Sequence, residues 1–187
     1  MKKIKLLALS GSLRTCSYNT ATIEALKLIA ASSGIEIVIG NIKDLPLFNP
    51  DREDDHIPAV IELKSNVGDS SGLVIASPEY AHGISGSMKN ALDWLVSGAE
   101  FPHKPIMLIN ASPRASHALA ALKEVITTMS GNIIEGALVS IPLLGSGLDR
   151  DGILSNPEIS NALKAALNNF CSEIQALKPD KPVQSTS

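Results

Sequence analysis

The sequence predicts an α/β fold, in which helices cover both faces of a parallel β-sheet. Short apolar runs alternate with longer segments of helical periodicity along the whole chain, and such runs are typical of strands buried on both faces. The chain has 187 residues, 44% of them hydrophobic, so it can bury a sizeable core and fits one domain better than two. We expect residues 1–177 to form that domain. Residues 178–187 are polar and contain proline, and we expect them to form a flexible tail.

Five apolar runs are the candidate strands. The first follows two lysines, and a strand explains it better than a signal peptide because no small-residue cleavage site comes after it. No apolar stretch is long enough to span a bilayer, so we expect no membrane partner. The predicted strands are Ile4–Leu9, Ile35–Ile39, Gly72–Ala76, Pro105–Asn110 and Ala137–Ile141.

Five further segments repeat apolar residues at helical spacing and are the candidate helices. In the first, Asn19 is the expected N-cap and Gly34 the expected stop. The predicted helices are Thr20–Ala31, Pro58–Val67, Ser87–Val96, Ser116–Met129 and Pro157–Ala176. Right-handed crossovers leave few topologies for five parallel strands, and the flavodoxin-like order 2-1-3-4-5 suits them. The sequence therefore predicts a flavodoxin-like three-layer sandwich.

Charge and cysteine content narrow the classes of function. The formal net charge of -3 at pH 7 gives no broad basic field, so nucleic acid is not an expected partner. Cys16 and Cys171 lie far apart and fit neither a zinc site nor a disulfide framework. We therefore expect a cytoplasmic protein without a metal. Solvated loops are also the better explanation of the acidic segment 51–56 and of the Gly/Asp-rich segment 145–151.

The loop of residues 10–19, after the first predicted strand, has the composition of a phosphate site. Arg14 can give a phosphate two parallel charge-assisted hydrogen bonds, and the start of the next helix adds a favourable dipole. We expect the loop to direct the hydroxyls of Ser10, Ser12 and Ser17 toward the same point. The loop has neither a Walker A ending nor a GxGxxG fingerprint, which favours a terminal phosphate over a triphosphate or a dinucleotide. An ordinary polar turn is the alternative.

A second loop, residues 77–83, follows the third predicted strand and could hold a flat ring. Pro78 stiffens it, so the amides of Glu79 and Tyr80 can face a ring edge at little entropic cost. Gly83 permits close approach, although a plain connection remains the alternative. In sheets with the flavodoxin-like strand order, flavin mononucleotide binds between the ends of strands 1 and 3. The two loops follow these strands. The sequence therefore predicts a mononucleotide across the ends of these two strands.

A third loop, residues 110–117, reaches the same edge of the sheet. Ser112 can supply an amide or hydroxyl to the ring, and Arg114 either meets the phosphates of a nicotinamide cofactor or is a solvated charge. His117 is better explained as a helix-start residue than as a base. No catalytic triad is apparent, and Cys16 is better explained as a small structural residue than as a nucleophile. A bound flavin would carry the chemistry itself.

At these loops the sequence resembles the NADPH-dependent FMN reductase family, which includes quinone, azo-dye and chromate reductases. The matching segments are Gly11-Ser12-Leu13-Arg14 with Ser17 and Asn19, then Ser77-Pro78-Glu79-Tyr80, then Gly86-Ser87-Met88-Lys89-Asn90-Ala91-Leu92-Asp93-Trp94. The resemblance implies an FMN phosphate surrounded by Ser10, Ser12, Arg14, Ser17 and Asn19. It implies an isoalloxazine lined by Pro78, Glu79 and Tyr80, with Ser112 near its other edge. His82 and Gly83 complete the expected cofactor-binding set, and His82 departs from the asparagine-type residue of the family.

The resemblance also implies an activity and an assembly. The activity is that of an FMN-dependent NAD(P)H oxidoreductase, which passes a hydride from NADPH or NADH through bound flavin to a quinone, azo compound, metal oxyanion or free flavin. The assembly is a homodimer or homotetramer, with the Ser87–Val96 helix near the contact. The helical spacing of Met88, Leu92, Trp94 and Leu95 fits either packing within the subunit or a subunit interface better than a cofactor site. Two alternatives remain: a flavodoxin-like FMN electron-transfer module without its own nicotinamide turnover, and a phosphate-binding domain without flavin.

Overall fold

A parallel β-sheet runs through the centre of the structure, a computed structural model that describes residues 4–114 and 116–177. Six strands form this sheet, and two short strands form a separate antiparallel hairpin. The eight strands are β1 (Lys5–Ser10), β2 (Glu36–Ile39), β3 (Gly72–Ala76), β4 (Glu79–Tyr80), β5 (Gly83–Ile84), β6 (Pro105–Asn110), β7 (Asn132–Ile133) and β8 (Val139–Ser140). The expected tail, residues 178–187, lies outside the described residues.

Six α-helices flank the sheet, and short 3-10 helices occur at Pro50–Arg52 and Glu135–Ala137. The α-helices are α1 (Tyr18–Ser32), α2 (Pro58–Asp69), α3 (Gly86–Asp93), α4 (Ser116–Thr128), α5 (Arg150–Ser155) and α6 (Pro157–Ala176). All five predicted helices are present, and α5 is the one the sequence analysis missed. In the described ranges, no helix combines the length and apolar character that a membrane crossing requires.

The order of the sheet confirms the predicted fold class and changes one detail. The strands lie in the order β2-β1-β3-β6-β7, and β8 also pairs with β6. Ile106 pairs with Ile133 of β7, and Ile109 pairs with Val139 of β8. The fifth position of the predicted order 2-1-3-4-5 is therefore shared by two short strands, because the Glu135–Ala137 3-10 helix interrupts the chain between them.

Alternate residues of the central strands face opposite layers of the molecule, as the period of two in a strand requires. Leu6 and Ala8 of β1 pack with α1, α5 and α6 on one face. Leu7 and Leu9 pack with α2, α3 and α4 on the other face. Both faces of β1 are thus buried, which explains its continuous apolar sequence, and the three-layer architecture is confirmed.

The start of α1 corrects the predicted N-cap. Ser17 is the N-cap, and its hydroxyl accepts a hydrogen bond from the backbone N–H of Thr20 at 3.4 Å. Asn19, the expected cap, lies inside the first turn of the helix and is buried. The prediction failed because both Ser17 and Asn19 are good capping residues. Gly34 ends the helix as expected, with a φ of 72° just after the C-cap Ser33.

The β4–β5 hairpin carried little signal in the sequence. Its strands are two residues long, and its turn residues Ala81 and His82 have positive φ values of 49° and 59°. Tight hairpin turns with two positive φ values favour Asn and Gly at these positions. Ala-His is an unusual sequence for such a turn, so the sequence predicts a loop without strands at residues 77–83.

The helix that carries Trp94 has a role inside the subunit. Trp94 is 1% exposed and meets the ring of Phe48 edge-on at 5.1 Å between centroids. Both the Asn90 side-chain amide and the Trp94 indole N–H donate to the carbonyl of Pro46, at 2.9 and 2.8 Å. Asn90 Oδ1 also accepts from the backbone N–H of Phe48 at 2.8 Å. Asn90 and Trp94 therefore hold the loop of residues 46–48 against the end of α3 through hydrogen bonds.

These contacts correct the expected subunit interface. The side chains proposed for it are all buried within one chain: Met88, Leu92, Trp94 and Leu95. Packing within the subunit, one of the two roles that the sequence left open, is therefore confirmed, and these side chains do not meet a second subunit. Helical spacing identified an apolar face correctly, but spacing alone does not tell a core-facing stripe from an interface.

Replacing Asn90 with Ala should destabilise the protein through the loop that it holds. The backbone N–H of Phe48 loses its acceptor, whereas the Pro46 carbonyl keeps the Trp94 indole as donor. We expect the free energy of unfolding to fall by about 1–3 kcal/mol, measured by urea denaturation. Lys89→Ala on the same helix is the control, because its exposed ion pair with Asp93 is worth less than about 1 kcal/mol. Equal effects of the two substitutions would contradict the role of Asn90.

Candidate functional site

A cleft of about 920 Å³ lies beside the carboxyl ends of β1, β3 and β6. Ser10 of β1 pairs with Ala76 of β3, and Ala76 pairs with Ile109 of β6, so the three strands end at nearly the same level. The loops that follow them therefore converge. The cleft is lined by residues 12, 14–21 and 24, residues 77–80, residues 110–112 and 114, and residues 144 and 147–151. Its size lies in the usual range for small-molecule sites, about 300–1,000 Å³.

Hydroxyl groups shape the first loop from within. Ser10 Oγ lies 2.9 Å from Thr20 Oγ1 and accepts from the backbone N–H of Ser12 at 3.3 Å. Ser12 Oγ accepts from the backbone N–H of Arg14 at 3.4 Å. Ser10 does not line the cleft, whereas Ser12, Arg14, Ser17 and Asn19 do. Ser10 thus supports the fold of the loop, and the other four predicted residues are brought together at the cleft surface.

Asn19 is a buried polar residue in the first turn of α1. It is 8% exposed, and its Oδ1 is buried without a hydrogen-bond partner among the described residues. Leaving a buried polar atom unpaired costs about 1–3 kcal/mol. The side-chain amide carries both donors and an acceptor, and it lines the cleft. The unpaired amide therefore points to a polar ligand at the start of α1.

Gly11 brings the first two loops into direct contact. Its backbone N–H donates to the carbonyl of Ala76 at 2.8 Å, and its carbonyl accepts from the hydroxyl of Ser87 at 2.8 Å. A Cβ atom at this position would lie 2.6 Å from Ser77 Oγ and 2.8 Å from Ser85 Oγ. Such distances are clashes, so only glycine lets the loops approach this closely.

Glu79 ties the second loop to the start of α4. Its Oε2 accepts from the backbone N–H of Ala118 at 2.9 Å, and its Oε1 lies 3.2 Å from His82 Nδ1. The Ala118 hydrogen bond is the main cause that lowers the pKa of Glu79, and His82 and His117 lower it further. The rings of His82 and His117 meet edge-on at 4.6 Å between centroids. The carboxylate of Glu79 thus serves as a structural anchor.

The remaining predicted residues of the second and third loops divide into two groups. Pro78, Glu79, Tyr80 and Ser112 line the cleft, whereas His82 and Gly83 do not. Gly83 begins β5, and His82 is exposed in the hairpin turn. The backbone N–H of Ser112 donates to the side-chain Oδ1 of buried Asn110 at 3.1 Å. That bond fixes the direction in which the third loop leaves the sheet.

A fourth wall of the cleft, residues 144–151, was missed by the sequence analysis, which assigned it to a solvated loop. The backbone N–H of Gly147 donates to the hydroxyl of Tyr18 at 3.0 Å, across 129 positions of sequence. Asp149 Oδ1 accepts from the backbone N–H of Gly152 at 2.8 Å and caps α5. Aspartate is a favoured N-cap residue, so Asp149 is a signal in the sequence that could have indicated the start of α5. No local signal indicates the contact with Tyr18.

Three arginines line this cleft, and they differ in their partners. Arg150 forms a two-point ion pair with Asp151 at 2.8 and 3.1 Å. That hydrogen-bonded carboxylate is the main cause that raises the pKa of Arg150, and Glu24 and Asp149 add to it. Within residues 4–114 and 116–177, no ion pair involves Arg14 or Arg114. Their charges are thus free to meet an anion.

No metal centre competes with this interpretation in the part of the chain that the structure describes. No group of three or more His, Cys, Asp or Glu side chains there is arranged to hold a metal ion. The donors that line the cleft near Arg14 are hydroxyl, amide and guanidinium groups. These groups suit an oxyanion such as a phosphate.

Comparison with known proteins also points to a flavin-dependent reductase. Residues 4–142 match the family model described as NADPH-dependent FMN reductase. A probable NADPH:quinone oxidoreductase 2 of Oryza sativa subsp. japonica is 35% identical over 178 residues, which cover 89% of this chain and 86% of the relative. The NADH-dependent flavin reductase subunit 2 of Lactobacillus johnsonii is 30% identical over 178 residues, covering 89% and 95% of the two chains.

Solved structures share the fold. The flavoenzyme NAD(P)H:(acceptor) oxidoreductase FerB of Paracoccus denitrificans superposes with a TM-score of 0.82 at 25% identity, covering 92% of this chain and 98% of FerB. A flavodoxin from the domain Archaea superposes with a TM-score of 0.61 at 11% identity, covering 92% and 99% of the two chains. The second likeness shows the fold alone.

The Glu79 contact should depend on pH. Because folding lowers the pKa of Glu79, the stabilising contribution is present above the unfolded pKa, about 4.3. It is lost as the pH falls through the lower folded pKa. We expect the amide resonance of Ala118 to titrate in NMR spectra with a midpoint below about 4.3. Glu79→Gln, which keeps an acceptor but has no charge, should remove that titration. A midpoint at or above the usual glutamate value would contradict the assignment.

Proposed function

The chain belongs to the NADPH-dependent FMN reductase family and is an FMN-dependent NAD(P)H oxidoreductase, and we propose that the cleft described above holds its FMN. The observation that carries this proposal is the pairing of two groups at the start of α1. One is Arg14, which has no ion pair in the described part of the chain, and the other is Asn19, whose buried amide oxygen lacks a partner. The Arg14 guanidinium fits a phosphate at the positive end of the 15-residue helix α1, and the Asn19 oxygen, an acceptor, fits a hydroxyl or N–H group of the same ligand.

The residues of the cleft divide naturally between the two ends of FMN. We assign the phosphate to Ser12, Arg14, Ser17 and Asn19, with Ser10 fixing the loop from behind. We assign the isoalloxazine to Pro78, Glu79, Tyr80 and Ser112, with His82 and Gly83 holding the hairpin in place. This division follows the strand ends, because β1 delivers the first set and β3 and β6 deliver the second.

The chemistry of the reaction belongs to the cofactor. When bound, FMN supplies the capacity to accept a hydride from reduced nicotinamide and to pass the electrons on. The protein's own residues bind and orient. Glu79, anchored to Ala118, holds the β4–β5 hairpin against α4, and the wall of residues 144–151 narrows the cleft on the side of α1. The acceptors are those of the family: quinones, azo compounds, metal oxyanions or free flavin.

The site assignment can be tested through Arg14. Arg14→Ala removes a charge-assisted contact worth about 1.5–3 kcal/mol, so FMN affinity should fall by roughly tenfold to a few hundredfold. Riboflavin, which lacks the phosphate, should bind wild type and variant about equally. Arg14→Lys should recover part of the loss, since it keeps the charge but not the planar fork. Fluorescence quenching with both flavins gives the affinities.

Arg114→Ala is the matched control for that series. It removes the same charge from the same cleft, but from the loop assigned to the ring, so its effect on FMN affinity should be smaller than that of Arg14→Ala. If Arg14→Ala binds FMN as tightly as wild type, the phosphate site lies elsewhere. If both substitutions lower FMN affinity equally and leave riboflavin affinity unchanged, the cleft attracts the phosphate through its general charge and not through a contact with Arg14.

We further propose a cytoplasmic homodimer or homotetramer. The family resemblance supports the assembly, and the two free cysteines support a reducing compartment. Because the apolar face of α3 is buried, a contact in this region has to use exposed side chains. Leu47, 83% exposed, lies in the loop that Asn90 and Trp94 fasten, and Val96, 59% exposed, follows Trp94 by two residues.

The double variant Leu47→Asp/Val96→Asp should therefore shift sedimentation at micromolar concentration towards the monomer. Burying two aspartates at a contact costs several kcal/mol, whereas the same side chains are well solvated in a monomer. Leu28→Asp, on the exposed face of α1, is the control and should leave the sedimentation unchanged. A wild-type protein that is already monomeric in the same experiment would contradict the proposed assembly.

A further inference from the structure

One exposed thiol lies on the cleft, in the loop assigned to the phosphate. Cys16 is exposed and lines the cleft between Arg14 and Ser17. Cys171, the second of the two cysteines in the chain, is 7% exposed and packs in the core under α1 and α6. Burial also raises the pKa of the Cys171 thiol, which makes it less reactive. The folded protein therefore offers one thiol to reagents in solution.

The surroundings of Cys16 are built for a ligand. Asn19, three residues further along in the first turn of α1, lines the same cleft, is more than nine-tenths buried, and has a buried side-chain oxygen without a partner among the described residues. Arg14 precedes Cys16 by two residues and has no ion pair among the described residues. A ligand that satisfies both groups must lie against the segment that contains Cys16. A substituent on the sulfur of Cys16 would occupy that space.

We propose that Cys16 is a modification site that forms a mixed disulfide with small anionic disulfides of the glutathione class, and that this modification and FMN binding exclude each other. This inference rests on the proposed FMN site. Carboxylates of the adduct can meet Arg14, which the FMN phosphate would otherwise occupy. The adduct and the cofactor thus compete both for space and for the same cation.

The chemistry is a thiol–disulfide exchange. The Cys16 thiol gives its proton to solvent, and its sulfur attacks one sulfur of the small disulfide. A new sulfur–sulfur bond forms as the old one breaks, and the departing sulfur leaves as a thiolate that takes up a proton. Cys16 is oxidised and the departing thiol is reduced, so no further oxidant is required. An added dithiol reverses the exchange.

Mutual exclusion makes the cofactor-free protein the form that is modified. Bound FMN should slow modification by the factor 1 + [FMN]/Kd, and the adduct should weaken FMN binding in return. Loaded enzyme is then protected, whereas protein without cofactor is held in an inactive form that a dithiol restores. The sequence analysis treated Cys16 as a small structural residue, because a single cysteine in a loop carries no sign of what lies around it.

The test uses the full chain stripped of FMN and measures the rate of reaction with oxidised glutathione by mass spectrometry. We expect one adduct, on Cys16, and none on native Cys16→Ser. FMN at 100 times its Kd should slow the reaction about 100-fold, while riboflavin at the same occupancy should slow it far less. The isolated adduct should bind FMN at least tenfold more weakly in fluorescence titrations and recover with dithiothreitol. The FMN affinity of Cys16→Ser should not change on the same treatment.

Each contrary result has a distinct meaning. If titration shows that FMN binds but saturating FMN leaves the rate of modification unchanged, the competition at Cys16 is wrong and the cofactor assignment stands. An adduct that binds FMN as tightly as untreated protein overturns the inference in the same way. If FMN binding is independent of Arg14, the phosphate site itself is wrong, and the competition at Cys16 is overturned with it.

Discussion

The site depends on how closely the chain leaving β1 can approach the chain leaving β3. Gly11 makes that approach possible, since its backbone N–H reaches the Ala76 carbonyl and its carbonyl reaches the Ser87 hydroxyl. Any side chain there would strike Ser77 and Ser85. The β1–α1 loop, the loop after β3 and the start of α3 are thus fixed to one another by one residue without a side chain. The positions of Arg14 and Asn19 relative to Pro78 and Glu79 follow from this contact.

The central fold could be predicted because its signals are local and repeated. β3 and β6 have the predicted bounds, β1 is shifted by one residue at both ends, and β2 begins one residue later than predicted. The apolar runs of β1, β3 and β6 reflect burial on both faces, which the sequence expresses at nearly every position. The edge of the sheet beyond β6 was harder to predict. There the 3-10 helix at Glu135–Ala137 divides the predicted fifth strand into β7 and β8, and strands of two residues are too short to show a regular pattern.

The same distinction applies to the site. The loops after β1, β3 and β6 were found because chain order and the parallel sheet place them at one edge. The wall of residues 144–151 was not found, since its contact with Tyr18 joins positions 129 apart and leaves no local pattern. Trp94 illustrates the opposite case. Its apolar face was recognised, but the Pro46 carbonyl that receives its indole N–H could not be inferred from spacing, so packing within the subunit and a subunit interface remained alternatives.

The segment of residues 144–151, which forms one wall of the cleft, also affects which electron acceptors can enter the cleft. One described side-chain hydrogen bond, from Gly147 to Tyr18, ties it to α1, and Leu144 at its tip is 62% exposed. Gly145 and Gly147 have positive φ values, which favour glycine at these two positions. At the other exposed positions of the segment, length and composition can change at little cost to the buried layers. Because the segment borders the cleft, each such change alters which molecules fit, so acceptor preference can evolve apart from the flavin site.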